Sequence, residues 1–285
     1  MDFQAFREKW TPEIEAYLNQ HVNSEVTVAN FNEVMAYSVM AGGKRLRPLL
    51  FLATIDSLGL PIGQTELRIA CGIELIHTYS LIHDDLPAMD NDDYRRGRLT
   101  SHKKFDEASA ILAGDALLPM GLSWISASQN WQMVQVMADA IGPNGMAGGQ
   151  YLDIMTTNNP KYEHDQAVAK QMEALKTGCL IEASVKLGSL YGDASDVQDQ
   201  KLMTFAKNFG QAFQIYDDLV DISESTAEAG KGTHKDEAQG KNNVLTVLGK
   251  SKSQTILKEL IDQGQSAVNE YPVLVGMLDL LTKVL

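Results

Sequence analysis

Apolar residues recur at helical spacing through most of this chain, and strand-like alternation is scarce. Phe31, Val34, Met35 and Val39 make one stripe, closed by Gly42-Gly43, a plausible helix stop. Leu67, Ala70, Cys71, Ile73, His77 and Leu81 belong to a long helix that runs toward Asp84. Further helices are expected over about 105–118, 122–141, 144–156, 164–190, 198–222, 242–249 and 253–264, with a last one from about 272. The connections carry Gly, Pro or Asn and none is long enough to separate domains. The expectation is therefore an all-α protein, a single domain over 1–285 built as a bundle of ten or more helices. Residues 223–243 are polar, of mixed charge and with three glycines, and read as a mobile loop.

Composition narrows the function. Of the 285 residues 44% are apolar and 21% charged, an ordinary globular balance with enough apolar material for a large core. The net charge of -13 opposes a nucleic-acid partner or an anionic membrane surface, both of which need a basic stripe. Runs of 18 to 20 apolar residues are lacking and the start, MDFQAFREKW, is not of signal-peptide form, so a soluble cytoplasmic protein without a membrane span is expected. Cys71 and Cys179 lack metal or redox spacing and read as reduced thiols.

Against that acidic background two carboxylate clusters carry the chemistry. Directly after the long helix stands His83-Asp84-Asp85-Leu86-Pro87-Ala88-Met89-Asp90-Asn91-Asp92-Asp93, with five aspartates in ten residues. Pro87 cannot donate to the His83 carbonyl, so the helix should end or kink there and let Asp90 turn back toward Asp84. On a second helix Gln214, Asp217, Asp218 and Asp221 fall at spacings of three, four and seven, on one face. Such clusters cannot meet an acidic ligand directly, because unit charges at about 4 Å repel by roughly 4 kcal/mol at an effective dielectric of 20. Divalent cations between them reverse the sign, and hard carboxylate oxygens suit Mg²⁺ bridging to phosphates.

With these paired motifs the sequence resembles the short-chain trans-isoprenyl diphosphate synthases, specifically the bacterial farnesyl diphosphate synthases, over roughly residues 30–245. The resemblance implies a helical bundle around a deep central cavity, usually a homodimer. It also implies a trinuclear Mg²⁺ cluster, which Mn²⁺ can replace, held chiefly by Asp84, Asp90 and Asp217 with Asp85, Asp218 and Asp221 nearby. Lys44 and Arg47 of GGKRLRP match the family's clamp on isopentenyl diphosphate, joined by His77 and Arg96. Arg95, Lys176, Thr177, Gln214, Lys231 and Lys241 match the contacts to the allylic diphosphate, and Gln150 and Asp153 a further active-site segment.

In the reaction that the resemblance implies, diphosphate leaves the allylic substrate as a carbocation forms, the double bond of isopentenyl diphosphate attacks that cation, and the released diphosphate takes the proton that is then lost. The Lys176 carbonyl, the Thr177 hydroxyl and the Gln214 amide oxygen are the dipoles suited to the cation. Chain length is expected from the helix leading into Asp84. Tyr79 lies five positions upstream, about 7.5 Å along the axis, with the smaller Ser80 beside it; the farnesyl synthases that the sequence resembles carry an aromatic at that position, and the resemblance therefore implies a fifteen-carbon product over twenty. A non-catalytic partner subunit is disfavoured by two intact aspartate motifs, and a terpene cyclase would not need Lys44, Arg47 and Arg96. The sequence departs from the family in Gly230-Lys231-Gly232-Thr233-His234-Lys235-Asp236, where His234 replaces a usual glycine, and in Lys241-Asn242-Asn243-Val244-Leu245.

Overall fold

Helices account for nearly all the regular structure in the computed structural model, which describes residues 1–157, 159–162, 165–223, 245 and 248–285. The expected all-α class is met, with more than ten helices and one two-stranded hairpin among the described residues. Residues 224–244, 246 and 247 lie outside the described residues, so 224–243 of the loop expected at 223–243, and 242–244, 246 and 247 of the helix expected at 242–249, fall there. The chain divides into two compact units, Ala5–Val134 and Gln135–Leu285, the latter joined by Met1–Gln4.

The first unit is organised by α1 (Phe3–Glu25), α2 (Phe31–Val39), α3 (Leu46–Ser57), α4 (Gln64–Asp84), the short α5 (Ser101–Lys104) and α6 (Glu107–Ile125). Helix α4 is buried on all sides from Ile69 to Ile76, as a central core helix must be. It packs against α6 at two glycines: a Cβ on Gly72 would lie 2.7 Å from the Gly121 carbonyl, and one on Gly121 2.7 Å from that of Gly72. Close backbone approach is what these glycines permit.

Two expectations shift here. A break was expected between 118 and 122, yet α6 runs through Pro119 to Ile125. Pro119 is exposed, so its ring sits in water, while Ala113, Gly114, Leu117, Gly121 and Trp124 on the opposite side hold the helix to the core. Glu107–Ser128 is also long and apolar enough to cross a membrane by composition, with 39% of its apolar window buried inside the protein. Its buried side, from Ala110 to Ile125, packs on α4.

The second unit carries α7 (Trp131–Ile141, begun in the first), α8 (Met146–Thr156), α9 (Gln166–Glu173), α10 (Cys179–Tyr191), α11 (Asp196–Ser223), α12 (Lys250–Ala267) and α13 (Pro272–Asp279). Between α9 and α10 the backbone widens into a π-turn over Ala174–Gly178, so the expected 164–190 helix is continuous in course but not in pitch. Cys71 is buried and Cys179 half-buried, both as free thiols.

Candidate active site

In the first unit the site starts where α4 stops. The helix ends at Asp84, and the chain folds back as expected: the Asp90 amide donates to the Asp84 carbonyl at 2.9 Å, and the Asp92 amide to the Asp85 carbonyl at 3.2 Å. Asp84 and Asp90 are thereby brought together on one turn, both half-buried. Asp85 points inward and is 4% exposed. Arg95 grips it, with Nε at 2.7 Å and Nη2 at 2.6 Å from Oδ1. Burial, with Asp84 and Asp92 adding to it, raises the Asp85 carboxyl to about 6 against the pull of Arg95.

Arg95 reaches Asp85 because it sits on a hairpin that the sequence reading did not anticipate. Tyr94–Arg95 pairs with Arg98–Leu99, and both turn residues, Arg96 (φ 54°) and Gly97 (φ 73°), are left-handed. That pair of conformations matches the twist of a two-residue hairpin turn. The Thr100 hydroxyl closes its base by donating to the Asp92 carbonyl at 2.7 Å. Arg96, at the tip, donates to the Gly42 carbonyl and lies flat on Gly43, where a Cβ would fall 2.5 Å from its Cζ. Helix α2 already ends at Val39, before the glycine stop expected at Gly42-Gly43, and that pair instead makes a seat for a guanidinium.

The basic segment Gly43-Lys44-Arg45-Leu46-Arg47 divides by direction. Lys44 is exposed and Arg47 half-buried, while Arg45 turns into the core and is 2% exposed. Arg45 binds Glu15 through Nε at 2.6 Å, Glu74 through Nη1 at 2.7 Å and the Val39 carbonyl through Nη2 at 2.7 Å. Arg47 approaches His77, Nη1 to Nε2 at 3.2 Å. A guanidinium can only donate, so Nε2 accepts and the imidazole is neutral. Burial and the surrounding Arg47, Arg96, Arg95 and Arg45 hold His77 well below the usual histidine range, in agreement. Two turns of α4 therefore bring His77, with Arg47 of α3 against it, and Asp84 of the first carboxylate cluster onto one helix. Ser80 donates to the His77 carbonyl at 2.8 Å, and Tyr79 is half-buried beside it.

In the second unit the π-turn carries Lys176 and Thr177. It is pressed from one side by α8: a Cβ on Gly149 would lie 2.2 Å from the Lys176 nitrogen and 2.7 Å from the Leu175 carbonyl carbon. From the other side Gly210 of α11 faces Gly178. The Lys176 ammonium meets Asp153, itself 4% exposed, at 2.5 Å. On α11 the Gln214 side chain donates to Asp218 Oδ1 at 2.9 Å. Asp218 is buried and Asp217 half-buried, so the expected common face is split by depth. The Asp221 side chain, Lys231 and Lys241 lie outside the described residues.

Residues 28–278 match the polyprenyl synthetase family. The chain belongs to that family. It is 40% identical over 268 residues to a farnesyl diphosphate synthase of Micrococcus luteus, spanning 89% of this chain and 87% of that one. It is 36% identical over 271 residues to geranylgeranyl pyrophosphate synthase 11 of Arabidopsis thaliana, spanning 91% and 74%. A solved FPP/GFPP synthase from Zymomonas mobilis matches with a TM-score of 0.83 at 32% identity, covering 99% of this chain and 97% of that one.

The donor chemistry of this polyprenyl synthetase suits magnesium. Asp84 and Asp90 in one unit and Asp217 in the other offer hard carboxylate oxygens. Among the described residues no three His, Cys, Asp or Glu side chains converge as a ready metal cage. Magnesium does not need one, since it commonly takes one or two carboxylates and completes its shell with water and substrate phosphate.

Proposed function

We propose that the chain condenses dimethylallyl and then geranyl diphosphate with isopentenyl diphosphate, making fifteen-carbon farnesyl diphosphate and releasing diphosphate in a magnesium-dependent reaction. Its family makes it a trans-prenyl diphosphate synthase, a prenyltransferase. The observation that carries the finer reading is the pairing, within one unit, of a carboxylate turn at Asp84 and Asp90 with a metal-free basic cluster of Arg47, His77 and Arg96. Two diphosphates can then be held by different chemistry, one through cations and one through guanidinium groups.

Asp84 and Asp90 in the first unit, and Asp217 in the second, are the residues that would each hold magnesium, which when bound would supply positive charge to the leaving diphosphate. Lys44, Arg47 and Arg96 bind the isopentenyl diphosphate, with neutral His77 orienting Arg47 rather than adding charge. Lys176 and Thr177 are aimed by the π-turn, whose irregular pitch sets them apart from the flanking helices. Gln214 has its nitrogen on Asp218, so its amide oxygen is directed elsewhere, in the role of a dipole for the carbocation. Lys231 and Lys241 complete the contacts to the allylic diphosphate in this proposal.

The half-buried Tyr79, five residues before Asp84, supports the fifteen-carbon stop. A twenty-carbon product is the second reading, favoured by similarity to a geranylgeranyl synthase at 36% identity. A cytoplasmic homodimer is also proposed, supported by Ile111 and Leu112, exposed at 42% and 56% on α6 and suited to cover by a second copy. The test is incubation with labelled isopentenyl diphosphate and each allylic starter, followed by chain-length analysis. Mainly fifteen-carbon product is expected; mainly twenty-carbon product would establish the second reading, and absence of condensation would overturn both.

A further inference from the structure

Upstream of Asp84 the side chain at His83 is not used by the proposed reaction, yet it is held from three directions within the first unit. Its Nε2 donates to the Ile111 carbonyl of α6 at 3.1 Å. Its ring fills the place where Gly114 lacks a side chain: a Cβ there would stand 2.2 Å from Nε2 and 2.5 Å from Cδ2. The ring then meets Tyr79, one helical turn earlier, edge to face at 5.8 Å and 83°. Residues four apart on a helix share a face, and side chains lean toward its N-terminus, so the His83 ring is carried over the turn that Tyr79 occupies.

We infer that His83, seated on Gly114, is a positioning residue for product length: it fixes the ring of Tyr79 in the orientation that stops chain growth. The inference rests on the reading of Tyr79 given above. A lone phenol on a helix can change rotamer, and a growing isoprenoid tail that gains apolar contact by displacing it would do so. An edge-to-face neighbour that is itself hydrogen-bonded to another helix removes that freedom. The glycine matters as much as the histidine, since a methyl at position 114 takes the space of the imidazole and the opposing atoms belong to a ring pinned at Nε2.

Product distributions of Tyr79→Ala, His83→Leu, Gly114→Ala and the double variant Tyr79→Ala/His83→Leu, measured with geranyl diphosphate as starter, test this. His83→Leu keeps bulk but loses the hydrogen bond and the aromatic edge; Gly114→Ala displaces the His83 ring by a substitution on α6. Each is expected to raise the ratio of twenty- to fifteen-carbon product roughly three- to tenfold, the range a lost aromatic contact corresponds to. The double variant is expected to match Tyr79→Ala alone, which a merely structural role for His83 would not produce. Should Tyr79→Ala lengthen the product while His83→Leu and Gly114→Ala stay within twofold of the parent chain, or should the double variant multiply the two effects, the positioning role is overturned and the Tyr79 reading stands. An unchanged product in Tyr79→Ala overturns both. Because His83→Leu and Gly114→Ala act from different helices, failure of one to fold leaves the other to decide.

Discussion

Replacing Arg45 by Met isolates what the inward-turned residue of the basic segment contributes. Arg45 is 2% exposed and binds Glu15, Glu74 and the Val39 carbonyl at 2.6 to 2.7 Å. On its loss Glu15, whose side chain is 31% exposed, can turn to water, but Glu74 is 1% exposed and cannot. Breaking a buried pair from one side costs about 3–5 kcal/mol, most of it the uncompensated charge that remains. At about 2 °C per kcal/mol for a chain of this size the Arg45→Met variant should melt roughly 6–10 °C lower. Substituting both partners, Arg45→Met with Glu74→Leu, removes the stranded carboxylate and should recover most of the loss. Thermal unfolding followed by circular dichroism reads both. A single variant that melts within 2 °C of the parent, or a double variant no better than the single, would refute the assignment of Arg45 to the core rather than to substrate.

Gly149→Ala should act on chemistry more than on stability. Its Cβ meets backbone of Lys176 at 2.2 Å, so the π-turn must shift, at an overpacking cost of about 1–3 kcal/mol. A displacement near 1 Å of Lys176 and Thr177 should lower turnover roughly 100-fold; turnover within threefold of the parent in a steady-state assay would show that the turn is not under that constraint. Glu25 tests electrostatics away from the site. Its hydrogen bond with Arg68, against some desolvation, holds the Glu25 carboxyl below the usual range, and Trp124 donates to it as well. A depressed folded value means stability present above the unfolded pKa and lost as pH falls through the folded one. The gap in melting temperature between Glu25→Gln and the parent should therefore start to close as pH falls past the unfolded value of about 4.3 and go on closing through the lowered folded value, and a gap that widens on acidification would contradict the pairing.

What the sequence reveals and what it hides separate along physical lines. The carboxylate turn was legible because Pro87 forbids the helix from continuing, and the Asp90 amide does return to the Asp84 carbonyl. Helix α3 was not, because Leu46 to Ile55 is almost wholly buried, with Arg47 the exception, and nearly continuous burial leaves little period to read. Helix α1 has a stripe of Phe3, Phe6, Trp10, Ile14, Leu18 and Val22, but Pro12 interrupts it. Both Pro12 and Pro119 face water, and core contacts on the other side of each helix outweigh the lost bond.

At the site, the residue types were legible and their partners were not. Lys176 alone reads as a surface lysine; the resemblance raises it, and the structure gives it a buried Asp153 and a π-turn set by Gly149. Within Gly43-Lys44-Arg45-Leu46-Arg47 nothing local says which cation turns inward, because that depends on Glu15 and Glu74 far along the chain. The hairpin that delivers Arg95 to Asp85 could have been suspected from Arg96-Gly97 between two short segments, though four residues of strand carry little period.

Calorimetric titration with inorganic diphosphate tests, without relying on turnover, whether the α4 carboxylates and the α11 carboxylates each take hold of diphosphate through divalent cations. The parent chain, Asp84→Asn and Asp217→Asn are each titrated in excess magnesium and in excess chelator. Binding in the parent should depend on magnesium, weaken at least about tenfold in either variant as one charged metal contact is lost, and be weak throughout in chelator. Equal affinity with and without magnesium, or variants that bind as tightly as the parent, would contradict it.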